Sequence, residues 1–264
     1  MLLPEHFIFT QQNLQDYTDC AYRFYQRHIQ QLEWPAVDSE PILAQEALID
    51  LGTRFHLLCQ QYLSGISAEL LEEGLTPPEL EIWWKNFLRL DLLKQQGELK
   101  VERLVSIPFA GFRLAAKFDL LLRLPDGKVK IYDWKTSQHQ PKRLTLLTRM
   151  QSKVYPLVAL ETLLPTVEAS AVEMIYWYPA YPESPIKAVY SDSRYSEERA
   201  DLEALISTIS SLNASEFEKT EDEKKCVYCR YRSLCNRGVS AGLLEETDEL
   251  PDGQDPFDLD FDSI

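Results

Sequence analysis

The sequence predicts a mixed α/β fold in which a central mixed sheet is flanked by helices. In the first hundred residues, apolar side chains recur at helical spacing. Three strand-like segments then follow one another with only short turns between them. Beyond them the pattern changes to a helix, two strands and a last helix. The predicted order is therefore three helices, a three-stranded meander, and a helix, two strands and a helix.

Three helices are predicted before the meander. Thr10 is the expected N-cap of the first, which runs to about residue 28. The second ends at about Leu63. The third, 77–96, is rich in tryptophan and ends before Gly97, because glycine commonly follows a helix C-terminus.

The meander and the elements after it are predicted from alternation and turn residues. Gly111 and the pair Asp126-Gly127 are the expected turns of the meander. A helix that Ser196 caps is expected to end the regular structure at about residue 212. The strands are predicted at 99–109, 112–123, 128–134, 172–178 and 186–190, and the intervening helix at 144–163.

Two carboxylates and a lysine follow the apolar runs of two neighbouring strands of the predicted meander. Asp119 closes one apolar run, and Asp133 closes the next, so both are expected at about the same height. Lys135 projects to the same side as Asp133 because side chains alternate with period two. Two carboxylates suit a hard divalent cation, and an adjacent ammonium stabilises developing negative charge. This pattern favours hydrolysis of a phosphodiester.

The D-x13-D-x-K motif resembles the PD-(D/E)xK nuclease superfamily and, within it, the RecB-type exonuclease branch. That branch includes the AddB nuclease domain and CRISPR-adaptation nucleases. The resemblance covers residues 10 to about 237 and implies a restriction-endonuclease-like sheet with a C-terminal cysteine lobe. It implies Mg²⁺ or Mn²⁺ as the metal and Lys135 as the residue that positions water or stabilises the transition state. The implied metal ligands are His56, Asp119, Asp133 and the carbonyl of Trp134.

Two further motifs support the resemblance. Gly52 and His56 match the G-x-x-x-H of the RecB branch, in which the histidine is a ligand. Alone, His56 is better explained as a partly buried helix residue, but the downstream motif favours the ligand role. Gln151 and Tyr155 match Q-x-x-x-Y, which the family uses for DNA binding or active-site organisation, and the resemblance implies that both line the DNA path. Pro156 is expected to kink or end that helix. Glu102, on the first strand of the meander, is a further candidate ligand, and a surface acid explains it equally well.

Four of the five cysteines match an iron–sulfur subset of the RecB branch. Cys226, Cys229 and Cys235 form C-x2-C-x5-C, and Cys20 lies far upstream, followed by Ala21 where the family has proline. The resemblance implies a [4Fe–4S] cluster, for which four thiolates suffice. Tetrahedral zinc is the alternative, although its usual ribbons pair two short C-x2-C hooks. Cys59 is expected to be a small core residue.

The net charge argues at first sight against a nucleic-acid-binding protein, but its distribution along the chain leaves room for a local basic groove. The net charge is -15, and nine acids without any lysine or arginine lie in residues 243–264. We expect residues 241–264 to be a disordered acidic tail and residues 1–240 to form a nuclease domain with an iron–sulfur lobe from residues 20 and 226–235. The tail is either a solubilising segment or one that docks onto a basic groove. The candidate basic residues around the cleft are Lys135, Lys142, Arg143, Arg149 and Lys153.

Together with the resemblance, these patterns predict a metal-dependent DNA exonuclease acting on DNA ends in repair or recombination. Trimming of CRISPR spacer precursors and a non-catalytic DNA-binding or assembly role stay open as alternatives. The chain has no G-x-x-x-x-G-K-[ST] motif, so a separate helicase or a repair or CRISPR complex is an expected partner besides DNA, single-stranded or at ends. The first residues lack a basic region, no apolar run reaches membrane-spanning length, and a cytoplasmic location is expected.

Overall fold

The structure is a computed structural model that describes residues 2–32, 40–137, 139–163, 165–227 and 229–238. Within the helix that begins at residue 40, side chains are described from residue 47 onward. The predicted acidic tail at 241–264 lies outside the described residues. None of the helices in the described part of the chain is long and apolar enough to cross a membrane.

A six-stranded mixed sheet forms the centre of the fold, as predicted. Strand β3 pairs along its whole length with antiparallel β2, and its other edge pairs first with parallel β1 and then with antiparallel β4. Strand β5 is parallel to β4, and β6 is antiparallel to β5. Strand β1 was not predicted, because three residues are too few to show an alternation. The strands are β1 Ile8–Thr10, β2 Glu98–Phe109, β3 Phe112–Arg123, β4 Val129–Trp134, β5 Val172–Trp177 and β6 Ile186–Val189.

Helices cover both faces of the sheet and enclose two separate cores. Helices α1, α7 and α8 pack on one face, and α3 and α5 pack on the other, where tryptophans fill the space. The helices are α1 Gln11–Asp19, α2 Ala21–Phe24, α3 Glu40–Leu63, α4 Ala68–Glu72, α5 Pro78–Leu88, α6 Arg143–Leu147, α7 Met150–Leu163 and α8 Asp192–Ser211.

The first predicted helix is interrupted at Cys20. Thr10 caps α1 as expected, since its hydroxyl accepts from the Asn13 N–H at 3.3 Å and the Asn13 side chain accepts from the Thr10 N–H at 2.9 Å. Cys20 has extended backbone angles, φ -163° and ψ 108°, between α1 and α2. Its sulfur accepts from the N–H of Thr220, 3.4 Å away. The break between α1 and α2 thus coincides with a contact between residues 200 positions apart in sequence. No residue near Cys20 in sequence predicts this break.

Three other helix boundaries differ from the prediction. Helix α5 ends at Leu88, because Leu90 is extended and a 3-10 turn follows. The helix predicted at 144–163 is divided into α6 and α7. Helix α8 begins at Asp192, where Ser191 rather than Ser196 is the N-cap and accepts from the Arg194 N–H at 3.2 Å.

Helix α7 does not end at Pro156 but continues to Leu163. Proline has no N–H, so the carbonyl of Ser152, four residues earlier, loses its helical donor. The Arg194 guanidinium of α8 donates to that carbonyl at 3.0 Å. A tertiary hydrogen bond therefore replaces the missing helical one.

The β2–β3 hairpin changes faces at Glu102 and Asp119. Pairing of Val101 with Leu120 and of Arg103 with Phe118 sets these two acids opposite each other. Glu102 has φ +48°, which is uncommon for a residue other than glycine. Phe118 lies in the core beside α7, whereas Leu120, two residues later, lies in the core beside α3. The alternation is therefore displaced at the position of these acids.

We predict that Gly97→Ala destabilises the protein by about 1–3 kcal/mol, the usual cost of overpacking. An added Cβ would lie 2.6 Å from the Arg123 carbonyl oxygen and 2.7 Å from the Leu122 Cδ1 atom. Urea denaturation followed by circular dichroism measures the change. Gly111→Asn is the control, since its site is open and asparagine tolerates φ +82°. Equal losses in the two variants would contradict the role of the close approach at Gly97.

Candidate active site

The two predicted carboxylates lie where β3 and β4 stop pairing. The last pair of these strands at this end is Leu120 with Tyr132, and Asp119 and Asp133 are the next residue on each strand. Both acids are buried. The Trp134 N–H donates to Asp119 Oδ2 at 2.6 Å across the opening between the strands. The expectation that the acids lie at the same height is confirmed.

His56 reaches this opening from α3, which packs on the face of the sheet opposite α7. Its Nε2 lies 3.0 Å from the Trp134 carbonyl oxygen, and its Nδ1 lies 3.4 Å from Asp119 Oδ1. The histidine is buried. The structure thus brings His56, Asp119 and the Trp134 carbonyl together, although they come from three elements.

Gly52 allows α3 to approach the segment that follows β4. A Cβ on Gly52 would lie 2.5 Å from the Thr136 Oγ1 atom, closer than real contacts allow. Thr136 follows Lys135 directly. The glycine of the G-x-x-x-H motif therefore has a steric role one helical turn from His56.

Glu102 completes a tight group of donors. Among the described residues, His56, Glu102 and Asp119 each offer one ligand atom, and these atoms lie within 4.8 Å of one another. Lys117 pairs with Glu102, with 2.7 Å between Nζ and Oε2. Carboxylate oxygens and one imidazole nitrogen are donors that fit Mg²⁺ or Mn²⁺.

The two acids of this group differ in pKa. Burial, and next the charge of Asp119, raise the pKa of Glu102. Burial acts to raise the pKa of Asp119 too, but His56 and the Trp134 N–H outweigh it and hold that pKa below its ordinary value. Two carboxylates close together resist joint ionisation, so a cation between them would favour the charged form of both.

Asp133 lies outside that 4.8 Å group and is held by two donors. Gln151 Nε2 donates to its Oδ1 at 2.6 Å, and Lys135 Nζ lies 2.8 Å from its Oδ2. Lys135 is therefore on the same side as Asp133, as predicted. The ammonium also lies 5.9 Å from the centroid of the Tyr176 ring.

Gln151 and Tyr155, on the same face of α7, are both buried. The Tyr155 ring packs edge to face on Phe118, with 5.3 Å between centroids. Gln151 contacts Asp133 directly. Tyr155 thus contacts the residue directly before Asp119.

Sequence reasoning missed Lys117 and Tyr176. Lys117 lies two residues before Asp119, so period-two spacing was the available signal for it. Tyr176 pairs with Asp133 in the sheet and its hydroxyl lies 2.6 Å from Ser152 Oγ. Burial, and next Asp133, raise the pKa of Tyr176. No sequence signal marks this tyrosine.

The four cysteines of the predicted cluster also come together. Cys226 Sγ accepts from Arg237 at 2.9 Å, and Cys20 Sγ accepts from Thr220. Burial is the main reason that the pKa of Cys229 is raised to about 11, and the nearby Cys226 and Cys20 contribute to the rise. Burial likewise raises the pKa of Cys235, to which Cys20 and Cys226 contribute. The fifth cysteine, Cys59, is a residue of α3 and is buried in the core between α3, α5 and the sheet, as predicted.

Comparisons with known proteins identify the family of the chain. The sequence profile of the PD-(D/E)XK nuclease superfamily matches residues 8–236. An exonuclease candidate from Eubacterium rectale, known from a crystal structure, is similar in fold, with a TM-score of 0.52 and 13% identity over 89% of this chain and 90% of that chain. A second structure, SSO0001, has a TM-score of 0.41 and 14% identity over 90% of each chain. A search of the curated proteins found no match.

The profile extends from β1 to the cysteine lobe and includes both strands that carry the paired aspartates. The chain therefore belongs to the PD-(D/E)XK nuclease superfamily.

Proposed function

We propose that this protein is a metal-dependent DNA exonuclease that acts on DNA ends in repair or recombination, within the RecB-type branch. The observation that carries the proposal is the convergence of His56, Glu102 and Asp119 donor atoms within 4.8 Å. The Asp133–Lys135 pair lies at the end of the neighbouring strand. This is a metal-binding group beside a cation, as phosphodiester hydrolysis requires.

The proposed ligands of Mg²⁺ or Mn²⁺ are His56, Asp119, Asp133 and the Trp134 carbonyl, with Glu102 as a further one. When bound, such a metal supplies Lewis acidity and lowers the pKa of a bound water. Lys135 would hold the attacking water or stabilise the charge that develops on the phosphoryl oxygens.

The partners of these residues would keep them oriented during hydrolysis. Gln151 fixes one oxygen of Asp133, and His56 is held between the Trp134 carbonyl and Asp119. Outer contacts of this kind orient ligands and tune metal affinity. That Gln151 and Tyr155 line the DNA path stays a prediction, and their buried contacts with Asp133 and Phe118 support a role in holding the residues of the site.

DNA is the proposed substrate, and the cations beside the cleft are its proposed contacts. Lys142 and Arg143 lie at the start of α6. The Lys153 Nζ atom lies 3.3 Å from Asp201 Oδ2, and the Arg149 Nη1 atom lies 3.9 Å from Asp19 Oδ2. Phosphates would compete for these cations, so binding should weaken as salt increases.

We also propose a [4Fe–4S] cluster held by Cys20, Cys226, Cys229 and Cys235. The convergence of these four thiols from opposite ends of the domain supports it. Tetrahedral zinc stays the alternative, and iron and zinc analysis of the purified protein distinguishes the two.

We predict that Lys135→Ala lowers the rate of cleavage of end-labelled DNA about 100- to 1000-fold, the usual loss when one charge-stabilising donor is removed. Anaerobically purified protein is assayed with Mg²⁺ or Mn²⁺ on single-stranded and double-stranded DNA. Lys187→Ala, an exposed position on β6, is the matched control and should cleave like the wild type.

Metal-dependent cleavage by the wild type and by Lys187→Ala, but not by Lys135→Ala, is the supporting result. If folded, iron-loaded wild-type protein binds DNA and never cleaves it with either metal, the nuclease proposal fails in favour of a binding module.

We predict that Glu102→Gln weakens metal binding in the absence of DNA. Thermal unfolding with and without Mn²⁺ measures it: the wild type should gain stability from the ion, and the variant should gain much less. Because the pKa of Glu102 is raised, its ionised form opposes folding at neutral pH, and the metal-free variant should be at least as stable as the wild type. Glu98→Gln, on the same strand and exposed, is the control. Equal Mn²⁺ effects in all three proteins would exclude Glu102 as a ligand.

We predict that Cys226→Ser loses iron, unfolds at a lower temperature and binds DNA more weakly. The lobe joins residue 20 to residues 226–235, and closing so long a loop restricts the unfolded chain. Iron analysis, thermal unfolding and DNA binding are compared with those of Cys59→Ala, which should keep its iron. Full iron content and full stability in Cys226→Ser would exclude the cluster.

A further inference from the structure

Helix α1 connects to the active site through the side chain of Gln15. Its Oε1 accepts from the N–H of Met150 at 3.0 Å, across 135 residues of sequence. Met150 is the first residue of α7. The next residue, Gln151, donates to the Asp133 carboxylate. Gln15 thus binds the residue directly before Gln151, whose side chain contacts Asp133 in the active site.

This hydrogen bond satisfies the first N–H group of α7. The first N–H groups of a helix have no acceptor within the helix, so an outside acceptor fixes the position of the first turn. Gln151 lies in that first turn. A shift of the first turn would move the amide that holds Asp133.

Gln15 is in turn attached to Asp19, which joins α1 to the cysteine lobe. The Gln15 Nε2 donates to Asp19 Oδ1 at 3.1 Å. Buried Asp19 also pairs with Lys225 at 3.1 Å, with Arg23 at 2.8 Å and, more distantly, with Arg149 at 3.9 Å. Asp19 directly precedes Cys20, and Lys225 directly precedes Cys226. The same carboxylate therefore holds the two chain segments that bring the cysteines together.

We propose that Gln15 and Asp19 are positioning residues that link assembly of the cysteine lobe to the orientation of Asp133. The proposal rests on the metal-dependent site described above and adds a dependence of its metal affinity on the lobe. The contacts run in one series, from Lys225 to Asp19, Gln15, Met150 and Gln151, and end at Asp133. The contacts of Gln15 and Asp19 described above involve none of the proposed metal ligands. Their effect passes through Gln151.

A purely structural role for Gln15 predicts a different result. It would lower stability and leave the metal affinity of the folded protein unchanged. Loss of an outer contact to a metal ligand typically weakens metal affinity or activity 10- to 100-fold. Metal affinity in folded protein therefore separates the two roles.

The test measures Mn²⁺ binding to DNA-free, iron-loaded protein by the electron paramagnetic resonance of the free ion. Gln15→Met keeps the side-chain length and removes the amide, and we expect its Kd for Mn²⁺ to rise about tenfold. Gln12→Met is the matched control on the same helix, since Gln12 Nε2 is buried without a hydrogen-bond partner among the described residues. Its Kd should stay at the wild-type value. Iron content and thermal unfolding of each variant confirm that the lobe and fold are intact.

Lys225→Met tests the part of the series that lies in the lobe. It should raise the Kd for Mn²⁺ in the same direction while the cysteines remain unchanged. The double variant with Gln15→Met should have a Kd for Mn²⁺ no higher than that of the single variant with the higher Kd. Both changes break the same series of contacts, so their effects should not add.

Unchanged Mn²⁺ affinity in Gln15→Met, or fully additive effects in the double variant, would overturn the link. Wild-type protein that binds no Mn²⁺ would overturn both the link and the metal site. Variants that lose Mn²⁺ affinity as expected, in a protein that never cleaves DNA, would support the link and refute the nuclease function alone.

Discussion

The buried carboxylate of Asp119 is the constraint on which the rest of the site depends. It accepts the Trp134 N–H where β3 and β4 separate, lies beside the His56 ring and faces Glu102 across the hairpin. Burial of several ionisable groups at one point opposes folding unless each is paired. The surrounding donors pair these groups, and they leave two carboxylates close together with opposite pKa shifts. A divalent cation fits that arrangement.

The three-layer architecture allows site residues to arrive from both faces of the sheet. His56 comes from α3 on one face, and Gln151 reaches Asp133 from α7 on the other. Between these two helices the β2–β3 hairpin changes faces at Glu102, whose φ is +48°. Unusual backbone angles commonly accumulate at functional sites, where the surrounding fold holds them in place. The unusual backbone of Glu102 thus lies where the hairpin passes from one core to the other and where the candidate ligands meet.

Tertiary hydrogen bonds also decide the shape of the helices that hold the site. Arg194 donates to the carbonyl that Pro156 leaves without a helical partner, so α7 remains continuous behind Gln151. Thr220 meets the Cys20 sulfur where α1 is interrupted. In both places the local preference of the chain is overruled by a side chain or backbone group that is distant in sequence.

The sequence by itself determined the meander, the equal height of Asp119 and Asp133, and the side on which Lys135 lies. Period-two alternation and turn residues are local, and they set these features without reference to the rest of the chain. Its short motifs also marked His56, Gln151 and the four cysteines. Contacts between distant segments were needed for the break at Cys20, the continuity of α7 and the backbone of Glu102. Each of these depends on a partner that only folding brings near, and no pattern along the chain records such a partner.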